Sequence, residues 1–182
     1  MPTIVEELPY DGANERIDRL GLRALLDEVR TVVTGFRLLV EERRDANGGA
    51  HVRKLLDSRF ERMDGWSKKV TGDVDWTKCQ VVNGTRVCLG VELQVSGRSD
   101  LIIVDLVHLR KAVSTGQIDV GVLVVPSDRL GVYMTDRGPK MADAKRLAGE
   151  ARVEDWPLLI IAFEHDGPGQ ALPKQGKSAT RH

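Results

Sequence analysis

The stretch Asp75-Trp76-Thr77-Lys78-Cys79-Gln80-Val81-Val82-Asn83-Gly84-Thr85-Arg86-Val87-Cys88-Leu89-Gly90-Val91-Glu92-Leu93-Gln94 decides the fold. Asn83-Gly84 sits between two alternating runs, and both residues of this dipeptide tolerate the positive φ that a tight hairpin turn needs. A two-residue turn pairs Val82 with Thr85, Val81 with Arg86, Gln80 with Val87 and Cys79 with Cys88. Extended, the same register sets Asp75 opposite Glu92 and Asp73 opposite Gln94. Side chains alternate between the faces of a strand. Thr85, Val87, Leu89, Val91, Leu93 and Val95 therefore share one almost wholly apolar face, and Arg86, Cys88, Gly90, Glu92 and Gln94 share the other.

The register predicts that Asp75 and Glu92 form a directly opposed, non-hydrogen-bonded pair, with Cβ atoms about 4.5–5.5 Å apart. Two ionised carboxylates that close repel, and one pKa rises unless a cation sits between them. Converging oxygen donors are what Mg²⁺ takes, with waters and a substrate phosphate completing its shell. The residues alone leave a second reading open. Both acids fit equally a solvated edge hairpin, reaching apart to separate lysines, with Gly90 marking a bulge that shifts the register.

Outward from the hairpin, the period changes. From Asp18 to Arg44 apolar residues recur at helical spacing (Leu22, Leu25, Leu26, Val29, Val32, Val33, Phe36), with an interruption at Gly35. Residues 45–49 read as a loop, and a second helix carries Val52, Leu55, Leu56, Phe60 and Met63 to Asp64-Gly65. Beyond the hairpin, Asp105 is expected to cap a helix that Gly116 closes. Ile118 to Val125 is an apolar strand ended by Pro126, Met141 to Ala151 a helix, and Pro157 to Phe163 a continuous apolar strand of the buried kind. Alternating strands and helices predict an α/β fold with a mixed β-sheet. One domain is expected over 1–166, with a helical part at 12–64 and a core at 65–165. Residues 167–182, rich in Gly, Pro, Lys and Ser, read as a mobile tail.

The chain has 182 residues, enough for one real core, with 27 basic and 27 acidic residues. At 41% hydrophobic and 30% charged its composition argues against wholesale disorder. No apolar run approaches the length of a membrane span, and the acidic start carries no secretory signal. Zero net charge excludes a protein that coats nucleic acid indiscriminately, yet a mild local basic excess beyond residue 50 leaves room for a DNA-facing surface. Two cysteines without metal spacing predict reduced, packed thiols and a cytoplasmic location.

Together, Val74-Asp75-Trp76, Gly90-Val91-Glu92-Leu93-Gln94-Val95, Val104-Asp105-Leu106, Gly116-Gln117-Ile118-Asp119-Val120-Gly121-Val122 and Val125-Pro126 resemble the BglII/BstYI group of type II restriction endonucleases, within the PD-(D/E)XK nuclease superfamily. The likeness covers roughly residues 50–165, with an echo in Thr3-Ile4-Val5-Glu6. A D…ExQ pattern alone is weak. Its succession by an aspartate-bearing helix and an IDVGV strand ending in Pro is far more specific. Two departures stand out: a longer hairpin, with Lys78 to Leu89 as an extension, and Val95 where the group commonly has an aromatic residue.

The resemblance implies a restriction-endonuclease-like core with an antiparallel catalytic hairpin flanked by helices. It implies a homodimeric enzyme that hydrolyses double-stranded DNA at a short palindrome, centred on GATC in this group, and leaves a 5′-phosphate. Asp75, Glu92 and Gln94 take the catalytic positions, with Asp73 as a second-rank acid. Asp75, Glu92 and the Leu93 carbonyl hold Mg²⁺, for which Mn²⁺ is expected to substitute. A cognate DNA methyltransferase in the host is the implied companion. The base-reading loop maps to Ser96, Arg98 and Ser99, with Asp128 and Arg129 as further DNA-binding candidates. Arg98 suits guanine, to which arginine donates two hydrogen bonds, and equally suits a phosphate contact or a plain surface position.

His51 and His108 read as ordinary boundary residues, and Trp66, Trp76 and Trp156 as packing. Lys174, Lys177 and Arg181 read as a solvated basic tail. Two other functions fit the same scaffold, a repair or junction nuclease and a DNA- or partner-binding module without activity.

Overall fold

The buried apolar runs form the centre of a mixed sheet. A computed structural model describes residues 1–135, 138–151 and 155–174. Six strands lie in the order β1 (Thr3–Tyr10), β7 (Leu158–Glu164), β6 (Val120–Pro126), β5 (Thr85–Leu93), β4 (Trp76–Val82) and β3 (Ser67–Lys68). The central β7, β6 and β5 are parallel, while β1 and the β4–β3 edge run antiparallel to their neighbours. Every residue of β6 is buried, which explains a run with no polar alternation. Each Leu or Ile so enclosed contributes about 1.5–3 kcal/mol relative to an exposed position.

Helices α1 (Ala13–Arg19), α2 (Arg23–Thr34) and α3 (Gly49–Phe60) pack on one face of the sheet. They meet Val87, Leu89, Val91 and Leu93, the face that alternation predicts to be apolar. Helices α4 (Ile102–Ser114) and α6 (Met141–Glu150) cover the other face around Cys88, Leu123 and Ile160. A short α5 (Asp128–Tyr133) is capped by Ser127, whose hydroxyl accepts from the Leu130 N–H at 3.0 Å. The expected α/β class and mixed sheet are what the chain forms.

The hairpin register runs unbroken from Val82↔Thr85 to Trp76↔Val91, with Cys79 opposite Cys88. No bulge occurs at Gly90. A Cβ there would lie 2.6 Å from Ile118 Cδ1, so the glycine lets Ile118 pack over the hairpin. The pairing ends before Asp73, which belongs to a turn closed by the Val74 N–H on the Thr71 carbonyl. Asp73 therefore does not face Gln94.

Several expectations are corrected. The helical pattern from Asp18 to Arg44 is two helices, because Gly21 at φ +69° ends α1 and the Leu22 N–H turns back to the Ile17 carbonyl. α2 stops at Gly35, and Leu39–Val40 is a short strand, β2. Asp105 does not cap α4: a 3₁₀ turn at Ser99–Leu101 leads into the helix, leaving Asp105 inside its first turn. Cys79 and Cys88 form a disulfide instead of two free thiols. The tail does not begin at Gly167, since β8 (Gly167–Pro168) pairs with β2 and the Leu172 N–H donates to Asn47 Oδ1 at 3.1 Å. Lys177 and Arg181 lie outside the described residues. Strand β1, with a register shift between Ile4 and Glu6, adds an element that the sequence pattern does not predict.

Candidate active site

Asp75 immediately precedes β4, and Glu92 lies near the end of β5, so the register brings them together by continuing the pairing one step beyond Trp76↔Val91. Both are buried, at 6% and 2% exposure, which removes the solvated-edge reading. The Leu93 N–H donates to Asp75 Oδ2 at 3.0 Å and fixes the carboxylate on the β5 backbone. Glu92 and Asp75 are themselves hydrogen-bonded.

Helix α4 closes the site from above Glu92. Its His108 Nδ1 lies 3.2 Å from Glu92 Oε1, and His108 Nε2 lies 4.0 Å from the exposed Asp73. Glu92, Asp105 and His108 each bring one ligand atom within 4.8 Å of the others. Asp105 Oδ2 is buried and has no hydrogen-bond partner among the described residues. An unpartnered buried carboxylate oxygen is costly unless something positive meets it.

On the opposite side stands Arg53 of α3. Its guanidinium meets Asp75 Oδ1 at 2.8 Å, the Leu93 carbonyl at 2.9 Å and Asp57 Oδ2 at 3.1 Å. Asp57 also accepts from the Trp76 indole at 3.0 Å and pairs with Lys68, while Trp76 stacks on Phe60. Packing of α3 on the hairpin thus aims Arg53 at the acids.

This arrangement sorts the protonation states. Burial, followed by the hydrogen bond to Asp75 and that residue's charge, holds the Glu92 carboxyl protonated well above the ordinary range. Burial raises Asp75 as well, but the hydrogen bond from Glu92 and the Arg53 charge bring it below its usual value. Asp105 is pushed up to about 7, first by burial and then by the charge on Asp75.

Gln94 is also buried, but its amide nitrogen donates to the Ser96 and Arg98 carbonyls at 3.2 and 3.3 Å. It ties the loop after β5 to the site's strand. Arg98 is exposed and forks onto Asp100. Arg98 and Ser99 line a cleft of about 530 Å³ together with Arg44, Asp100, Lys140 and Asp143. Asp128 and Arg129 are engaged elsewhere: Asp128 accepts from the Ala142 N–H at the start of α6, and Arg129 pairs with Glu42 at 2.9 Å. Ser96 instead lines a second cleft of about 380 Å³ beside Arg53, Lys54 and Lys68.

Arg53, Asp105 and His108 are the site residues that sequence reasoning missed or misplaced. Asp105 and His108 are three apart on one helix, a spacing that puts both on one face and offered a signal. Arg53 offered only its i,i+4 spacing to Asp57, because its contacts with Asp75 and Leu93 are tertiary.

A mixed sheet whose antiparallel hairpin brings two buried carboxylates together beside a covering helix is consistent with the restriction-endonuclease-like fold. The family model "Restriction endonuclease BglII/BglIII" matches residues 6–163, most of the chain, and the chain belongs to that family. A search of curated proteins finds no match. The protein is therefore a type II restriction endonuclease, a hydrolase that acts on double-stranded DNA. No helix among the described residues is long and apolar enough to cross a membrane.

Restriction endonucleases of this family typically need a divalent metal, and the donor set fits one. Two acids and an imidazole (Glu92, Asp105 and His108) converge, and the orphaned Asp105 oxygen points to a missing positive partner.

Proposed function

We propose that this endonuclease is Mg²⁺-dependent, acts as a homodimer on a short palindrome and leaves 5′-phosphate ends. The convergence of buried Asp75 and Glu92 with the unpartnered Asp105 oxygen is the observation that carries this reading. Asp75, Glu92 and the Leu93 carbonyl are the residues that would hold the ion, with Asp105 and His108 completing the donor set. When bound, the ion lowers the pKa of water and offsets charge on the phosphate oxygens.

The chain's own groups do the rest. The Leu93 N–H holds one Asp75 oxygen, and the other meets the Arg53 guanidinium. His108 orients Glu92 through their 3.2 Å contact. Gln94 has no titrating group and so is not the base; it couples the β5 strand to the Ser96–Ser99 loop, which we assign to base reading. Water attacks phosphorus in line with the 3′ oxygen and loses a proton to solvent. The P–O3′ bond breaks, the 3′ oxygen takes a proton from solvent, and the phosphate stays on the 5′ side. Arg98 is the first-rank base reader, and Asp128 and Arg129 stand second. A palindrome read by twofold symmetry needs two protomers. A cognate methyltransferase and a cytoplasmic location complete the reading.

Digestion of unmodified phage DNA with Mg²⁺, followed by sequencing of the ends, tests it. Discrete fragments with one palindromic junction and ligatable 5′-phosphates are expected. A smear, or cleavage undiminished in chelator, overturns it.

A further inference from the structure

Two of the groups assigned above to an ion, Asp75 Oδ1 and the Leu93 carbonyl, are already held by the Arg53 guanidinium. The third nitrogen of that fork is on Asp57, so all three nitrogens of the guanidinium are engaged. Arginine keeps its charge at any ordinary pH, so it does not vacate the oxygens by losing a proton. A second cation at the same oxygens meets both competition for lone pairs and like-charge repulsion. Yet the Arg53 side chain is 23% exposed, and it opens into the cleft it shares with Lys54, Lys68 and Ser96. That cleft is also lined by Asp57 and Glu61, with which Lys68 pairs, so Arg53 and Lys54 are the cations it offers to an approaching DNA phosphate. A guanidinium fork matches phosphate as well as carboxylate.

We infer that Arg53 is a resident counter-cation that closes the ion site in the free enzyme and yields it when a DNA phosphate draws the guanidinium into the cleft. Arg53 is thus a positioning residue, coupling DNA binding to ion binding, and linkage makes that coupling reciprocal. The inference rests on the assignment of Asp75 and Leu93 to the ion. It explains how buried acids coexist in the metal-free chain: the arginine supplies the positive charge that the ion would otherwise bring.

The test is Mn²⁺ affinity without DNA, followed by electron paramagnetic resonance titration of the full chain, in wild type, Arg53→Met, Arg53→Lys and Asp75→Asn. Arg53→Met keeps the length of the stem but removes the competing charge. It is expected to bind Mn²⁺ about tenfold more tightly than wild type, within the ordinary range of coupling. A salt bridge with a merely structural role predicts the reverse, equal or weaker binding with a lowered melting temperature, and that result overturns the inference. Should Arg53→Met fail to melt cooperatively, Arg53→Lys decides. One ammonium does not span both oxygens with the fixed fork, so Mn²⁺ binding about fivefold tighter supports the inference and unchanged binding overturns it. Asp75→Asn separates the two assignments. If it abolishes Mn²⁺ binding while the Arg53 variants bind as wild type does, only the inference falls. If Asp75→Asn binds Mn²⁺ undiminished, the ion assignment falls and takes the inference with it.

Discussion

His108 Nδ1 lies 3.2 Å from Glu92 Oε1, so a helix on one side of the sheet touches the acid that the hairpin delivers. The contact ties α4, which also covers the sheet, to the candidate site. His108→Ala is expected to lower cleavage in Mg²⁺ by about 10–100-fold, the usual cost of losing a residue that orients a metal-binding group. Single-turnover rates at saturating enzyme check this, and a wild-type rate would remove His108 from the site.

Glu92→Gln separates chemistry from folding. Glu92 is held protonated in the metal-free chain, so an amide of the same shape should change stability by no more than about 1 kcal/mol. Cleavage should fall to background. Denaturant unfolding and a plasmid-nicking assay give the two readouts, and retained cutting sinks the assignment of Glu92.

A pH dependence follows from Asp105. Its carboxyl titrates near 7 in the folded chain and near 3.8 in its ordinary state. Above that folded value the chain bears the full cost of an ionised, unpartnered acid. As pH falls below it, the folded chain takes up a proton that the unfolded chain does not, and stability rises. The melting temperature of metal-free protein should therefore be higher at about pH 5.5 than at about pH 8. Glu92, held protonated in the fold, adds a slope of the same sign, so Asp105→Asn should reduce the slope without removing it, and saturating Mg²⁺ should reverse it by favouring the ionised acids. Thermal melts in chelator and in Mg²⁺ measure it; a slope unchanged in Asp105→Asn rules out Asp105 as its origin.

Gly90 provides a packing test away from the acids. Gly90→Ala places a methyl 2.6 Å from Ile118 Cδ1, and overpacking of this kind costs about 1–3 kcal/mol. Ile118→Val, by withdrawing that Cδ1, should recover most of the loss. A double-mutant cycle in urea reads the coupling, and additive effects would contradict the contact.

What could be read from the sequence was what local chemistry determines. Asn83 and Gly84 both have positive φ, as the turn requires, so the register of Asp75 and Glu92 was legible from two residues. The buried strands β6 and β7 were legible because no polar residue breaks them. The helix break at Gly21 was hidden by an apolar pattern that continues through Leu20 and Leu22 on both sides of it. Strand β1 mixes Glu6 and Glu7 with Pro9 and so lacks clean alternation, as an edge strand is free to do. The site residues on α3 and α4 depend on how helices dock, which no local period encodes. Cys79 and Cys88 were placed opposite each other by the register, but register alone does not say whether two facing sulfurs are joined.

Leu93 has its side chain in the apolar layer under α1–α3, its N–H on Asp75 and its carbonyl on Arg53. The chemistry is therefore mounted on a backbone position whose height above the sheet is set by the hydrophobic layer behind it. Truncating that side chain removes no polar group, yet it loosens the mounting. On the proposed assignment, new recognition sites would be sought in the loops, while the cutting rate would depend on the α1–α3 packing behind Leu93.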